Sequence, residues 1–415
     1  MAKIITPVQN QEREVFMDVL RGFAILGILI ANFTLGGFSG YSESAKLTGP
    51  FLLPDVDHPL TYLEYMFIDG KFYSIFSLLF GWGISLQIQR GINRGIDPIP
   101  TIKRRLMFML LLGAFHLLIW PGDIVFFYAL LGFVLLPFRK FTNKTLLITS
   151  ACLILLPIIL YAAKSHWQWL NAPAGILFDT GEKITQQLTG VSSEAEFHQW
   201  FKHGSWWGLL KSNIGGFFLR YGYLFFVSRI PKVLGVFLIG FIIGRSDFYK
   251  NIAQNRMVIY WIIGLGLLLG LPANYFLAYY ATHFEADYFN LQINGLYQTI
   301  AYALGVVPLA LAYVGIFILC FETTAGKKIM SVIAPVGKMA FSNYIMHSLV
   351  GNFVFFGAGL GYSGQVGPAY LLLFCICFFI TQIIISTIWL KYFNYGPFEW
   401  VWRSLTYGKL QPMKR

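Results

Sequence analysis

Ten apolar stretches, each near the roughly 20 residues that a helix needs to cross a bilayer, run almost end to end through this 415-residue chain. They begin near Val15, Tyr62, Leu106, Ile124, Leu146, Lys232, Met257, Leu296, Val332 and Tyr370. In hydrocarbon every backbone N–H and C=O must be satisfied within the structure, which restricts spanning segments to helices and closed barrels. Apolar runs of this length are read as helices. The expectation is an all-α, polytopic integral membrane protein with about ten transmembrane helices, forming a single membrane domain over residues 1–415.

Composition points the same way: 56% of residues are hydrophobic and 12% charged, where soluble domains run near a quarter charged. A net charge of +12 would suit a nucleic-acid partner, but its distribution argues against one. Basic residues fill alternate joints: Arg90, Arg94, Lys103, Arg104 and Arg105; Arg139, Lys140 and Lys144; Arg245, Lys250 and Arg256; Lys327 and Lys328; then Lys391, Arg403, Lys409, Lys414 and Arg415 in the tail. The joints between them carry Glu43, Asp55 and Asp57, then Asp123, then Glu285 and Asp287. By the positive-inside rule both termini are expected in the cytoplasm, and the excess charge reads as topology.

The first apolar run is long, lacks a following small-residue cleavage site and carries Arg21, so it is expected to stay as a helix and not be cleaved as a signal peptide. Cys152, Cys320, Cys375 and Cys377 all fall in apolar stretches without a Cys-x-x-Cys pair, which predicts neither a disulfide framework nor a zinc site. The one long joint, residues 164–230, mixes Trp167, Trp169, Trp200, Trp206 and Trp207 with Glu194, Glu196, Lys202 and Lys211. That composition suits an extracytoplasmic, interfacial cap. Within it Ile214 to Ser228 is apolar enough to be an eleventh span, but a crossing there would invert the later charge pattern unless a re-entrant loop intervened. No internal repeat is visible, so an inverted-repeat transporter is not supported by pattern.

Polar residues inside apolar runs are costly and tend to be functional. Arg21 lies in the first span, with Asp18 three residues before it and Asn32 at the far end. A snorkelling Arg21 paired with Asp18 is the plainer account, and a polar route along the helix the functional one. His116 and Asp123 flank Pro121-Gly122, a turn between two helices. They are the parts of a general base and its orienting partner, or a packing histidine and a helix cap. Asp69 and Lys71, two apart, do not share a helix face. Each calls for a partner elsewhere or closes the outer bundle as a structural charge. Asn343 and His347, four apart, either glue helices together or line a polar cavity.

These stretches together resemble the YeiB-like family of bacterial inner-membrane proteins, historically a domain of unknown function. The likeness is carried by Arg21-Gly22 with Asn32; Asp69-Gly-Lys71 with Leu79-Phe-Gly-Trp-Gly83; His116 with Trp120-Pro-Gly-Asp123 and Tyr128-Ala-Leu-Leu-Gly132; Gly337-Lys-Met-Ala with Asn343-Tyr344; and Gly396-Pro-Phe-Glu-Trp-Val-Trp-Arg403. It spans nearly the whole chain, with a C-terminal YeiB-like region over 231–405 and its weakest part in the cap. That family is similar to membrane acyltransferases, which implies transfer of an acyl group from cytoplasmic acyl-CoA (acetyl-CoA) as co-substrate, without a metal, to an extracytoplasmic glycan, lipid or small-molecule acceptor. On that implication Arg21, Arg104 and Arg403 would hold the donor phosphates. His116 would act as general base with Asp123 orienting it, and Asn32, Asp69, Lys71, Tyr128, Asn343 and His347 would supply the oxyanion or acceptor pocket. The alternative is a small-molecule or lipid transporter, or flippase, using the same residues as a substrate path; a blander one is a nonenzymatic scaffold.

Overall fold

The structure, a computed structural model, describes residues 15–35, 37–40, 49–191, 194–246, 248 and 251–415; of the charges used above, Glu43 and Lys250 lie outside the described residues. The described chain folds as helices: α1 (Val15–Thr34), α2 (Pro54–Phe67), α3 (Lys71–Asn93), α4 (Ile99–Ile119), α5 (Val125–Leu135), α6 (Asn143–His166), α7 (Ala172–Thr189), α8 (Glu194–His203) and α9 (Trp206–Phe226). There follow α10 (Arg229–Arg245), α11 (Ile252–His283), α12 (Glu285–Phe289), α13 (Ile293–Glu322), α14 (Thr324–Met330), α15 (Ala334–Lys338), α16 (Ala340–Phe355), α17 (Pro368–Tyr392) and α18 (Pro397–Tyr407). Among the described residues extended pairing is confined to two isolated bridges, Phe51 with Val366 and Phe393 with Lys414.

Five helices, α1, α6, α11, α13 and α17, are long and apolar enough to cross a bilayer, and the count reaches seven if each of two bent pairs is one span. One pair is α9 with α10, bent by 73°; the other is Thr324–Lys338 with α16, bent by 72°. The ten-span expectation is thus met in part: all ten stretches are helical, but not all are full crossings. The run from Ile124 yields α5, only 11 residues long. At a rise of 1.5 Å per residue it covers about 16 Å, half the hydrocarbon thickness. The run near Tyr62 breaks at Gly70, whose φ of 80° belongs to the left-handed region that glycine favours, and resumes as α3. The stretch Ile214–Ser228, left out of the span count, is the end of α9 leading into the bend at Ser228, where φ is 51°.

α1 sits at the centre, with Val19, Leu20, Ala24, Ile25 and Leu29 fully buried. By contrast α6, α11 and α17 expose large apolar side chains such as Ile159, Trp261, Leu268 and Ile384. Lipid tails are as apolar as these side chains, so a bundle in a bilayer need not bury them; association comes from close packing instead. Glycines make that packing possible. A Cβ on Gly81 would stand 2.0 Å from the Phe237 carbonyl oxygen and one on Gly240 1.9 Å from that of Leu78, so α3 and α10 cross backbone to backbone. Likewise a Cβ on Gly337 would stand 1.8 Å from the Asp18 carbonyl oxygen, which sets α15 against α1.

Within the stretch 164–230, α7 and α9 form a helical hairpin over the bundle. α7 and α9 run antiparallel, Gly181 facing Gly215 and Ala174 facing Gly222. The last carbonyls of α9, which no helix can satisfy internally, accept from the Lys164 ammonium at 3.0 Å (Phe225) and 2.8 Å (Phe226). This anchors the bend between α9 and α10.

Candidate functional site

The hairpin formed by Pro121-Gly122 brings His116 and Asp123 together, as their spacing suggests. His116 Nδ1 lies 2.7 Å from Asp123 Oδ2, and Asp123 Oδ1 accepts from the Phe126 N–H at 2.6 Å in the first turn of α5. One carboxylate therefore orients the imidazole with one oxygen and caps a helix with the other. The second imidazole nitrogen, Nε2, lies 2.8 Å from Ser348 Oγ on α16. A carboxylate only accepts, so Nδ1 carries the proton and Nε2 is left to receive that of Ser348. All three side chains are buried, at 1%, 2% and 0% exposure for His116, Asp123 and Ser348. Aspartate, histidine and serine in this order form an array suited to general-base and nucleophilic chemistry, which is recognised by geometry and not by sequence position.

The array is held from several sides. The open carbonyls at the end of α4 accept from Asn213 Nδ2 (Leu118 at 2.8 Å, Ile119 at 2.9 Å) and from Asn352 Nδ2 (Ile119 at 2.8 Å). The Tyr344 ring lies 5.2 Å from the imidazole centroid, and its hydroxyl accepts from the Ile124 N–H at 3.2 Å. Asp123, Tyr344, Asn213 and Asn352 also line a cavity of about 1120 Å³ between the α7–α9 hairpin and the bundle. The imidazole and Ser348 stand behind that wall.

Of the other residues singled out in the sequence, Asn32, Asp69 and Tyr128 line the same cavity. Tyr128 shares a hydrogen bond with Ser77 Oγ at 2.5 Å and donates to the Tyr73 carbonyl at 3.0 Å. Lys71 is fully buried away from it, donating to the Tyr65 carbonyl at 2.6 Å. Asn343 and His347 face α17: Asn343 Nδ2 donates to Ser386 Oγ at 3.1 Å, and His347 Nε2 lies 3.2 Å from Gln382 Oε1, whose amide donates back to the Asn343 carbonyl. They are apart from the His116 array although adjacent to it in sequence.

Arg21 donates to Asp18 at 2.9 Å. Its field, with that of Arg403, reaches Arg105, whose guanidinium stacks 4.2 Å from the Trp402 ring while that of Arg403 stacks 4.7 Å from Tyr395. Arg104 lies against Gly408. The arginines thus gather around α18, at the end of the bundle where α16 begins. Phe356, just beyond the other end of α16, packs on Trp200 and Trp206 of the cap. The 16 residues of α16 separate the two ends by about 24 Å.

Glu399 on α18 fixes the start of α16, accepting from the Phe341 and Ser342 N–H groups at 2.7 and 3.0 Å and from Ser342 Oγ. A carboxylate at a helix N-terminus satisfies open donors and suits the macrodipole. Glu399→Ala is expected to destabilise the protein by about 1–2 kcal/mol, the usual effect of losing such a cap. A thermal midpoint unchanged from wild type would contradict that role.

The sequence does not single out Ser348, Arg220 or Arg229, and Arg105 reads there only as a charge that sets topology. Ser348 was masked by His347 beside it, since one position along a helix turns the side chain by about 100°. Arg220 was legible by the rule that singles out Arg21, a cation within an apolar run, but it fell in the stretch left out of the span count.

The chain is similar over its whole length to uncharacterised bacterial proteins. Protein YxaH of Bacillus subtilis (strain 168) is 33% identical over 435 residues, covering 99% of this chain and 98% of that protein. Protein YeiB of Escherichia coli (strain K12) is 27% identical, covering 95% and 96%. A 39.9 kDa protein of the amylase 3′ region of Bacillus acidopullulyticus is also 27% identical, covering 98% and 97%. The family model described as "Protein of unknown function (DUF418)" matches residues 243–409. No solved structure matches the chain.

Proposed function

This chain belongs to the YeiB-like family of DUF418 proteins, and from that premise we propose that it is a transmembrane acyltransferase, moving an acyl group from cytoplasmic acyl-CoA to an acceptor on the outer side of a bacterial inner membrane. The carrying observation is His116, bound on one side to Asp123 and on the other to the Ser348 hydroxyl, directly behind the Asp123 and Tyr344 wall of a large cavity under the cap. On this proposal both termini and the basic joints face the cytoplasm. The arginines around α18 hold the phosphates of the donor, and the cavity takes the acceptor.

Transfer proceeds in two balanced halves. Ser348 Oγ attacks the thioester carbonyl carbon as its proton passes to His116 Nε2; the carbon–sulfur bond breaks, and the CoA sulfur leaves with that proton. The acceptor hydroxyl or amine then attacks the seryl ester, giving its proton to Nε2, and Ser348 Oγ leaves and takes the proton back. Asp123 holds the imidazole in the tautomer both halves need. On this proposal Asn32 and Tyr128, which line the cavity, are the donors assigned to the developing oxyanion.

A transporter would also use a cavity lined by intramembrane charges, so the test separates the two. Sealed proteoliposomes containing the protein receive acetyl-labelled acetyl-CoA from the face bearing the basic joints. The expected result is free CoA on the side of addition and label freed from CoA. Label crossing the membrane while still joined to CoA, with no CoA released, would replace transfer by transport.

A further inference from the structure

The bend between α9 and α10 gathers cations that the transfer chemistry does not use. Arg220 and Arg229 both line the cavity under the cap. Arg220 has a buried Nε without a hydrogen-bond partner among the described residues, and its guanidinium lies 5.8 Å from the Tyr223 ring, with Tyr221 and Tyr344 also within its field. Arg229 spends one N–H on a neutral phenol, Tyr302 at 2.7 Å, and otherwise lies over the Tyr73 and Tyr302 rings at 4.8 and 5.5 Å. Behind it the buried Lys232 faces the Tyr302 ring at 4.1 Å.

The carboxylate whose field reaches Arg229 and Lys232 is Asp69; Asp179 and Glu182 of α7 also line the cavity, but as exposed side chains with Lys183 beside them. Asp123, also in the wall, already has both oxygens engaged by His116 and the Phe126 N–H. Aromatic faces attract cations but take up none of their N–H donors. Arg220 and Arg229 are half-buried; a guanidinium N–H kept from water without an acceptor is costly, so removing such a cation need not cost the fold stability. An arginine kept in this state and aimed into a cavity is one whose acceptor arrives with a ligand.

We propose that the α9–α10 bend is a binding site for a phosphate group, with Arg220 as its principal ligand and Arg229 as its second. Two guanidiniums offer more N–H donors than the two oxygens of a carboxylate accommodate, and their planar forks match phosphate oxygens in pairs. The cavity, at about 1120 Å³, is at the upper limit of ordinary ligand pockets and admits a phosphate carried on a larger body. The proposal rests on the acyl-transfer reading only in calling that body the acceptor. The shared chemistry is the phosphate, whether it belongs to a lipid headgroup or to a soluble compound.

The test is a thermal-shift titration of detergent-purified protein with two probes, inorganic phosphate and short-chain dihexanoyl phosphatidic acid. Wild type is expected to be stabilised saturably by the lipid. Stabilisation by inorganic phosphate as well assigns recognition to the phosphate alone; stabilisation by the lipid only assigns it to a headgroup held together with its glycerol body. Arg220→Gln is expected to weaken binding at least tenfold while its unliganded midpoint equals or exceeds that of wild type, and Arg220→Lys to retain part of the affinity. The site is overturned by equal shifts in wild type and Arg220→Gln, by no shift with either probe, or by an Arg220→Gln protein that is less stable without ligand, which would make Arg220 structural. His116→Ala is expected to bind phosphate as wild type does. Failed acyl turnover with intact phosphate binding therefore tells against transfer alone, and intact turnover with lost binding tells against this site alone.

Discussion

His116→Ala is expected to lower acyl-CoA turnover by about 10²–10⁴-fold, the range over which a positioned general base acts, while the protein stays folded. Asp123→Asn should cost as much or more, because an amide at that position leaves the imidazole in the tautomer that cannot receive the Ser348 proton; in a comparable array that change costs about 10⁴-fold. Combining His116→Ala with Ser348→Ala should cost little beyond either alone, because residues acting as one unit are far from additive. Steady-state release of CoA by each variant reads these effects, with thermal midpoints as the control for folding. Multiplicative losses in the double variant would show that His116 and Ser348 act separately.

The second large effect concerns the crossing of α3 and α10. Gly240→Leu would drive a side chain into the Leu78 backbone, where even a Cβ stands 1.9 Å from the carbonyl oxygen. A backbone atom cannot step aside as a flexible side chain can, so the helices must separate. Overpacking ordinarily destabilises by about 1–3 kcal/mol, and a backbone clash is expected to reach or exceed the top of that range. α10 carries Arg229 and Lys232, and α3 carries Tyr73 and Ser77, so separation also opens the wall of the cavity. The expected result is loss of most folded protein from a detergent extract, read by size-exclusion chromatography, whereas Gly83→Ala, at a position open for a Cβ, leaves the yield unchanged. Equal yields from Gly240→Leu and wild type would mean that the two helices do not meet as described.

What the sequence revealed and what it hid follow from the range of the interactions involved. Asp18 with Arg21, three apart on one helix, and His116 with Asp123, joined through a two-residue turn, are local pairs, and both meet in the structure. Ser348 reaches His116 across 232 positions, and no periodicity announces such a contact. His347, beside it and more conspicuous chemically, turns to Gln382 on α17. Apolar runs marked where helices lie but not where they break: Gly70 and Ser228 interrupt or bend otherwise continuous stretches through single backbone angles. Asp69 and Lys71 diverge as their spacing demands, one into the cavity and one to the Tyr65 carbonyl. That the Arg220 Nε has no hydrogen-bond partner among the described residues depends on what α7, α10 and the bundle place around it, which only the assembled fold reveals.

The most direct test of the account is a rapid-quench reaction of detergent-purified protein with acetyl-labelled acetyl-CoA in the absence of acceptor. Label is expected to remain on the denatured wild-type protein as an ester at Ser348, with a matching release of CoA, and to be absent from Ser348→Ala and His116→Ala. A folded wild-type protein that neither takes up label nor releases CoA would contradict acyl transfer at this site.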